Sequence, residues 1–233
     1  MKTLKVLGYL LTYPQKEIVA AWPEMCAVLK EEQWLSEKTV KALENIGAWM
    51  TMTSLLDVQE EYVSLFDRTP SLSLHLFEHI HGDSRERGQA MVDLSDIYKN
   101  KGFLIVGDEM PDYLPMFLEY LSNQTTEEAR SDLGDVIDVL ATLGGRLEKR
   151  QSRYTAVFKA LEEAANKKPN EKAVAKALEL ASGLASTEEE LDSAWEEQFA
   201  FEKQPNEQGS CPKVGSMVAQ LNKEIQLEKV KEA

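Results

Sequence analysis

Apolar residues recur along this chain at three- and four-residue steps. Leu55, Val58, Tyr62, Leu65 and Phe66 form one such stripe. Ala90, Met91, Leu94, Ile97 and Tyr98 form a second, and Leu133, Val136, Ile137, Leu140 and Leu147 a third. Charged residues fill the opposite face each time, the pattern of amphipathic helices. Helix starts are marked as well. Thr125-Thr126-Glu127-Glu128 and Thr187-Glu188-Glu189-Glu190 each offer a hydroxyl cap and an acidic first turn, and Asp83-Ser84-Arg85-Glu86 reads as a variant capping box. Asp112 is expected to cap a helix running from about Tyr113 to Ser122. Pro115 then falls in the first turn, where a missing N–H breaks no bond.

No alternating run of β-branched residues interrupts this pattern. Phe103-Leu104-Ile105-Val106, between Gly102 and Gly107, is the one strand-like piece, and it is expected to be a buried connection. The prediction is an all-α fold, a single globular helical bundle of about ten helices over residues 1–201. No fixed-period repeat points to a solenoid. Pro205, Gly209 and Pro212 mark a linker after Glu202, and Val218, Leu221 and Ile225 give the last residues modest amphipathic character. Residues 202–233 are therefore expected to form a separate, mobile or loosely docked C-terminal segment.

Charge narrows the function. Acidic residues number 40 against 26 basic ones, for a net charge of −14. Such a surface repels phosphate backbones and anionic lipid heads, which argues against nucleic-acid binding and suits a basic partner. Direct membrane insertion is not expected either. The longest charge-free stretch, Asn45 to Leu56, falls short of the roughly 18 apolar residues that a span needs. Cys26 and Cys211 form no metal or disulfide pattern and fit a reducing, cytoplasmic location.

All three histidines, His75, His79 and His81, lie within seven residues, with Glu78 among them. His75-Leu76-Phe77-Glu78-His79 matches the H-x-x-E-H string of inverted zinc peptidases. A zinc-dependent hydrolase is thus an alternative reading. It lacks a third histidine ligand elsewhere in the chain, and His79 and His81 equally suit the last turn of a helix ending at Gly82. Gly102 and Gly107 have Walker spacing, but Asp108-Glu109 follow where Lys and Ser or Thr are required. Carboxylate pairs such as Glu31-Glu32 and Glu60-Glu61 read as solvated helix faces. No catalytic residue, metal or cofactor is expected.

From Leu55 to Tyr120 the chain is dense in aromatic residues and methionines set among carboxylates, the ingredients of a groove for a basic amphipathic helix. Three blocks here resemble the TorD/DmsD/NarJ family of redox-enzyme maturation chaperones: LDVQEEYVSLFDR from Leu56, LFEHIHGDSRERGQAMVDL from Leu76, and MPDYLPMFLEYL from Met110. Weaker agreement extends over roughly residues 1–200, and nothing in the tail matches. The resemblance implies a TorD/NarJ-like all-helical chaperone without catalysis. It would bind the basic, amphipathic N-terminal segment of the apo catalytic (alpha) subunit of a respiratory nitrate reductase, or of a related molybdoenzyme. It would hold that client in the cytoplasm for molybdenum cofactor insertion before membrane docking, with the insertion machinery as a second candidate partner. The same resemblance carries Tyr62 and Phe66 (Y-x-x-L-F), Glu78, His79, His81, Asp83 and Arg87 (the central block), and Pro111, Asp112, Pro115 and Glu119 (the P-D-x-L-P block) as client-peptide contacts. Phe117 and Tyr120 join them as aromatic anchors. Truncating Phe66 or Glu78 is expected to weaken client binding while leaving the fold intact.

Overall fold

The computed structural model describes residues 1–81, 85–107 and 109–180. Twelve α-helices lie among them: α1 (Lys2–Leu10), α2 (Lys16–Ala20), α3 (Trp22–Glu32), α4 (Glu37–Met52), α5 (Leu55–Tyr62), α6 (Leu76–His81), α7 (Arg85–Asn100), α8 (Leu114–Ser122), α9 (Thr126–Asp135), α10 (Ile137–Lys149), α11 (Thr155–Ala164) and α12 (Glu171–Leu180). A π-helical turn, Val63–Asp67, continues α5, and a 3₁₀ turn, Pro70–Leu72, follows it. No strand occurs among the described residues, and one isolated antiparallel bridge joins His75 to Tyr113. The all-α bundle is as expected, with two helices more than periodicity suggested. The five-residue α2 and six-residue α6 are too short to show a period. The third apolar stripe is also two helices: Val136 leaves helical geometry (φ −103°, ψ 9°) and divides α9 from α10. The stripe runs on because both halves face the same core. The division at residue 201, the Thr187 cap, the linker and the C-terminal segment all lie outside the described residues, as does the proposed cap at Asp83 with Gly82.

At the centre α1 lies along α8, with α3 and α11 against its other sides. Leu4, Leu7 and Leu11 are fully buried there, facing Leu114, Leu118 and Leu121 of α8 in one continuous core. Gly8 sits at the α1–α8 crossing, where a Cβ would come within 3.3 Å of the Pro115 carbonyl oxygen. The second pairing is α10 with α11, closed by Leu140, Leu143, Leu147, Val157, Phe158 and Leu161, and α12 packs over α10. Arg146 ties this layer down, donating from Nη1 to the Ser71 carbonyl at 2.6 Å and from Nη2 to the Ala177 carbonyl at 3.5 Å. Helix α7 ends as a Schellman motif, with Gly102 at φ 76° and Phe103 N–H donating to the Tyr98 carbonyl at 2.8 Å.

Helix starts are satisfied in two ways. One local cap read from sequence forms where expected: Thr125 and Glu128 make a complete capping box. Other starts are capped by carboxylates from distant elements. Glu32, at the end of α3, accepts from Lys2 and Thr3 N–H at 2.8 and 2.7 Å. Burial pushes its pKa up, and those backbone donors more than reverse the effect, leaving it below the ordinary glutamate value. Glu163 of α11 accepts from Ser36 N–H at 2.6 Å, the N-cap of α4. Glu32 is solvent-exposed, as read from sequence, and caps α1 from that surface. Glu61 likewise pairs with Arg153 at 3.6 Å.

Candidate functional site

The central sequence block and the P-D-x-L-P block are joined in space by one buried carboxylate. Asp112 is fully buried. Its Oδ2 accepts from Phe77 N–H at 3.1 Å, its Oδ1 faces His75 Nδ1 at 3.3 Å, and its own carbonyl accepts from Leu76 N–H at 3.0 Å. Asp112 thus caps α6 and not α8, whose N-cap is Tyr113 with Pro115 at the second helical position. Sequence reasoning placed the cap on the adjacent helix because the true partner lies 35 residues upstream. The return bond from Leu114 N–H to the Leu74 carbonyl, 2.8 Å, locks the two segments together.

This arrangement also assigns the histidines. His75 stands before α6, its ring against Tyr113 with centroids 5.4 Å apart, and its hydrogen bond to Asp112 raises its pKa. His79 Nε2 is 2.7 Å from the Ser73 carbonyl and so carries the proton, while burial lowers its pKa. His81 packs edge-on against Phe77, with its Nδ1 3.9 Å from Glu86. The two nitrogens that a zinc site would use face a carboxylate and a backbone carbonyl. Among the described residues no group of three His, Cys, Asp or Glu side chains is placed to hold a metal ion. The H-x-x-E-H string gains no support as a hydrolase centre.

The aromatic residues read as groove anchors are in the core. Tyr62, Phe66, Phe117 and Tyr120 are all nearly inaccessible. Tyr62 donates to the Leu11 carbonyl at 3.0 Å and meets Tyr113 Oη at 3.2 Å, and Phe66 packs on Tyr62 and Tyr154. Burial drives the Tyr62 and Tyr120 phenols well above their usual pKa. Truncating Phe66 would open a core cavity costing about 3–5 kcal/mol, so it is not the fold-neutral binding variant expected from sequence. Pro111 is partly exposed and its carbonyl accepts from Tyr98 Oη at 2.9 Å. Glu78 and Arg87 are also partly exposed and pair at 2.9 Å. Asp83 lies outside the described residues.

What reaches the surface is a groove between α1, α8 and the segment after α7. It holds a cavity of about 260 Å³ lined by Gly8, Tyr9, Thr12, Val106, Tyr113, Pro115 and Met116, with the charged side chains of Lys5, Glu109 and Glu119 also in its wall. Lys5 and Glu119 pair across it at 2.9 Å. The Phe103–Val106 connection, expected to be buried, is half-exposed in alternation. Val106 is 89% exposed and Leu104 70%, while Phe103 and Ile105 pack on the core. Only Pro115 and Glu119 of the predicted set line this cavity. The α1 residues, more than 100 positions away, had no local signal linking them to α8. A larger cavity of about 730 Å³ lies between α3 and α4, lined in part by Leu29, Leu35, Val40, Lys30 and Glu44. None of the three sequence blocks reaches it, so volume does not select the site.

A catalytic constellation is not what these residues build. They line an open cavity of mixed polar and apolar character between packed helices. The bundle matches a solved structure from Archaeoglobus fulgidus assigned to the redox enzyme maturation proteins, with a TM-score of 0.52, 21% identity, and 69% of this chain and 91% of that one covered. The profile of the nitrate reductase delta subunit family matches residues 32–160. The chain belongs to that family. It is 37% identical over 198 residues to the nitrate reductase molybdenum cofactor assembly chaperone NarJ of Escherichia coli K12, covering 85% of this chain and 84% of that protein. A Bacillus subtilis 168 protein, a probable chaperone of the same name, is 30% identical over 161 residues, 68% of this chain and 85% of that protein.

Proposed function

We propose that this protein is an assembly chaperone for respiratory nitrate reductase, holding the N-terminal segment of the apo catalytic subunit in the α1–α8 groove while the molybdenum cofactor is inserted. Family membership supports the client, and the groove supports the mode of binding. The single observation that carries it is a surface cavity that sets apolar side chains beside Glu109 and Glu119 on a protein of net charge −14. At about 260 Å³ it is below the roughly 300–1,000 Å³ of small-molecule sites and suits the anchor side chains of an amphipathic helix. Pro115 and Glu119 are then direct contacts, beside Tyr9, Val106 and Met116. Tyr62, Phe66, His79, Asp112, Phe117 and Tyr120 hold the groove in shape from behind. Glu78, His81, Arg87 and Pro111 are partly exposed and open to the same client or to the insertion machinery. The work is done in the cytoplasm. Among the described residues no helix is long and apolar enough to cross a membrane.

A chaperone must release its client, so affinity on the order of μM to tens of nM is expected. The test is calorimetry with a synthetic peptide of the N-terminal segment of nitrate reductase's catalytic subunit. Val106→Ser removes an exposed apolar side chain from the wall. It should weaken binding by about five- to thirty-fold, the worth of about 1–2 kcal/mol of apolar contact. Unchanged affinity would remove the groove from the account.

A further inference from the structure

The groove already contains a cation, and it is the protein's own. Lys5 extends from α1 along the groove wall and places Nζ 2.9 Å from Glu119 Oε1 on α8. The same ammonium lies 5.9 Å from the centroid of the Tyr9 ring. A carboxylate on one side and an aromatic ring near the other are a recognition geometry for an ammonium or guanidinium group. The fold does not depend on this pair. Helices α1 and α8 are held by fully buried leucines, and the two side chains remain 42% and 47% exposed, a setting in which an ion pair adds little to stability. All three residues line the cavity of the proposed groove, and Glu109 supplies a second acidic group in the same wall.

We infer that Lys5 is an internal competitor for the client, its ammonium occupying on Glu119 the position that a Lys or Arg of the bound helix takes over. The inference rests on the groove reading above and adds how that groove is gated. Binding exchanges one ion pair for another, so Glu119 is never left unpaired beneath a bound peptide, and the displaced Lys5 returns to water. Release reverses the exchange. A client lacking a cation at that position must leave the Lys5–Glu119 pair in the trough or bury it. The device therefore selects basic segments and keeps affinity moderate.

Calorimetry with the same synthetic peptide tests this, alongside a copy whose Lys and Arg residues are replaced by citrulline and norleucine. Lys5→Gln should tighten binding about two- to five-fold, the range set by one exposed ion pair, and more at low salt than at high. Glu119→Gln should weaken binding of the basic peptide and leave the neutral copy unaffected. The double variant should bind like Glu119→Gln alone, because without the carboxylate there is nothing to compete for. Affinity unchanged or lowered in Lys5→Gln, with its melting temperature retained, overturns the inference. So does a Glu119→Gln variant that binds the basic peptide as tightly as the parent, an arm that stands even if Lys5→Gln folds poorly. The groove reading fails separately, by insensitivity to Val106→Ser, and a parent protein that binds neither peptide overturns both.

Discussion

Asp112 offers a sharp test of how the two sequence blocks are held together. Replacing it with alanine removes the acceptor of Phe77 N–H at 3.1 Å, the cap of α6, and the partner of His75 Nδ1 at 3.3 Å. The carboxylate is fully buried, so no water takes its place at the Phe77 N–H without local opening. Hydrogen bonds to charged groups contribute about 1.5–3 kcal/mol each, and leaving a buried donor unsatisfied costs about 1–3 kcal/mol. The His75 bond is long and its ring is 30% exposed, which places it at the weak end. Relief from desolvating the carboxylate offsets part of the loss. Asp112→Ala should therefore cost about 2–4 kcal/mol, or roughly 4–16 °C in melting temperature for a protein of this size. Asp112→Asn keeps an oxygen for Phe77 N–H and should cost about half as much. Urea unfolding at constant m-value measures both. A loss below about 1 kcal/mol for alanine, the level of an ordinary surface change, would refute the capping role.

Three further outcomes rest on the same geometry. A Cβ at Gly47 would lie 1.7 Å from Trp22 Cε2, so Gly47→Ala must displace the indole and should destabilise by about 1–3 kcal/mol or more, read from thermal unfolding. Thr125→Ala should cost about 1 kcal/mol. Its hydroxyl is the main cause holding the Glu128 pKa down at about 2, ahead of Lys101, so NMR titration should show that pKa rise toward the ordinary glutamate value. The two histidines of the central block should give opposite pH dependences. His75, with its pKa raised by Asp112, contributes stability that is complete below the unfolded value of about 6.5 and lost as pH rises through the folded value. His79, with its pKa lowered by burial, contributes stability that is present above about 6.5 and lost as pH falls through its folded value. The margin of the parent over His75→Gln should thus shrink from pH 6 to pH 8, and a margin that grows would reverse the assignment.

The helical nature of the chain, most helix positions, the local cap at Thr125 and the acidic character were legible in the sequence. Each depends on residues within a turn or two of one another, or on composition alone. The family resemblance was legible too, because long contiguous runs carry it. Its functional residues were harder to place. Aromatic density from Leu55 to Tyr120 read as a groove, yet Tyr62, Phe66, Phe117 and Tyr120 are core, since a stripe at helical spacing looks the same whether it faces a partner helix or a client. Residues that line the cavity between α1 and α8 are less conspicuous: Gly8 and Tyr9 from α1, Val106 from a short connection, and Met116 from α8.

Tertiary structure decided which carboxylate serves which backbone. Glu32, Asp112 and Glu163 each reach a helix start or its N-cap from 29 or more residues away, and no local pattern distinguishes them from the solvated acids beside them. It decided also that Lys5 and Glu119, 114 positions apart, share one edge of the groove. Sequence determines the period of each helix and hence which face is apolar. Packing determines which faces meet, and so where a charge is left to recognise something else.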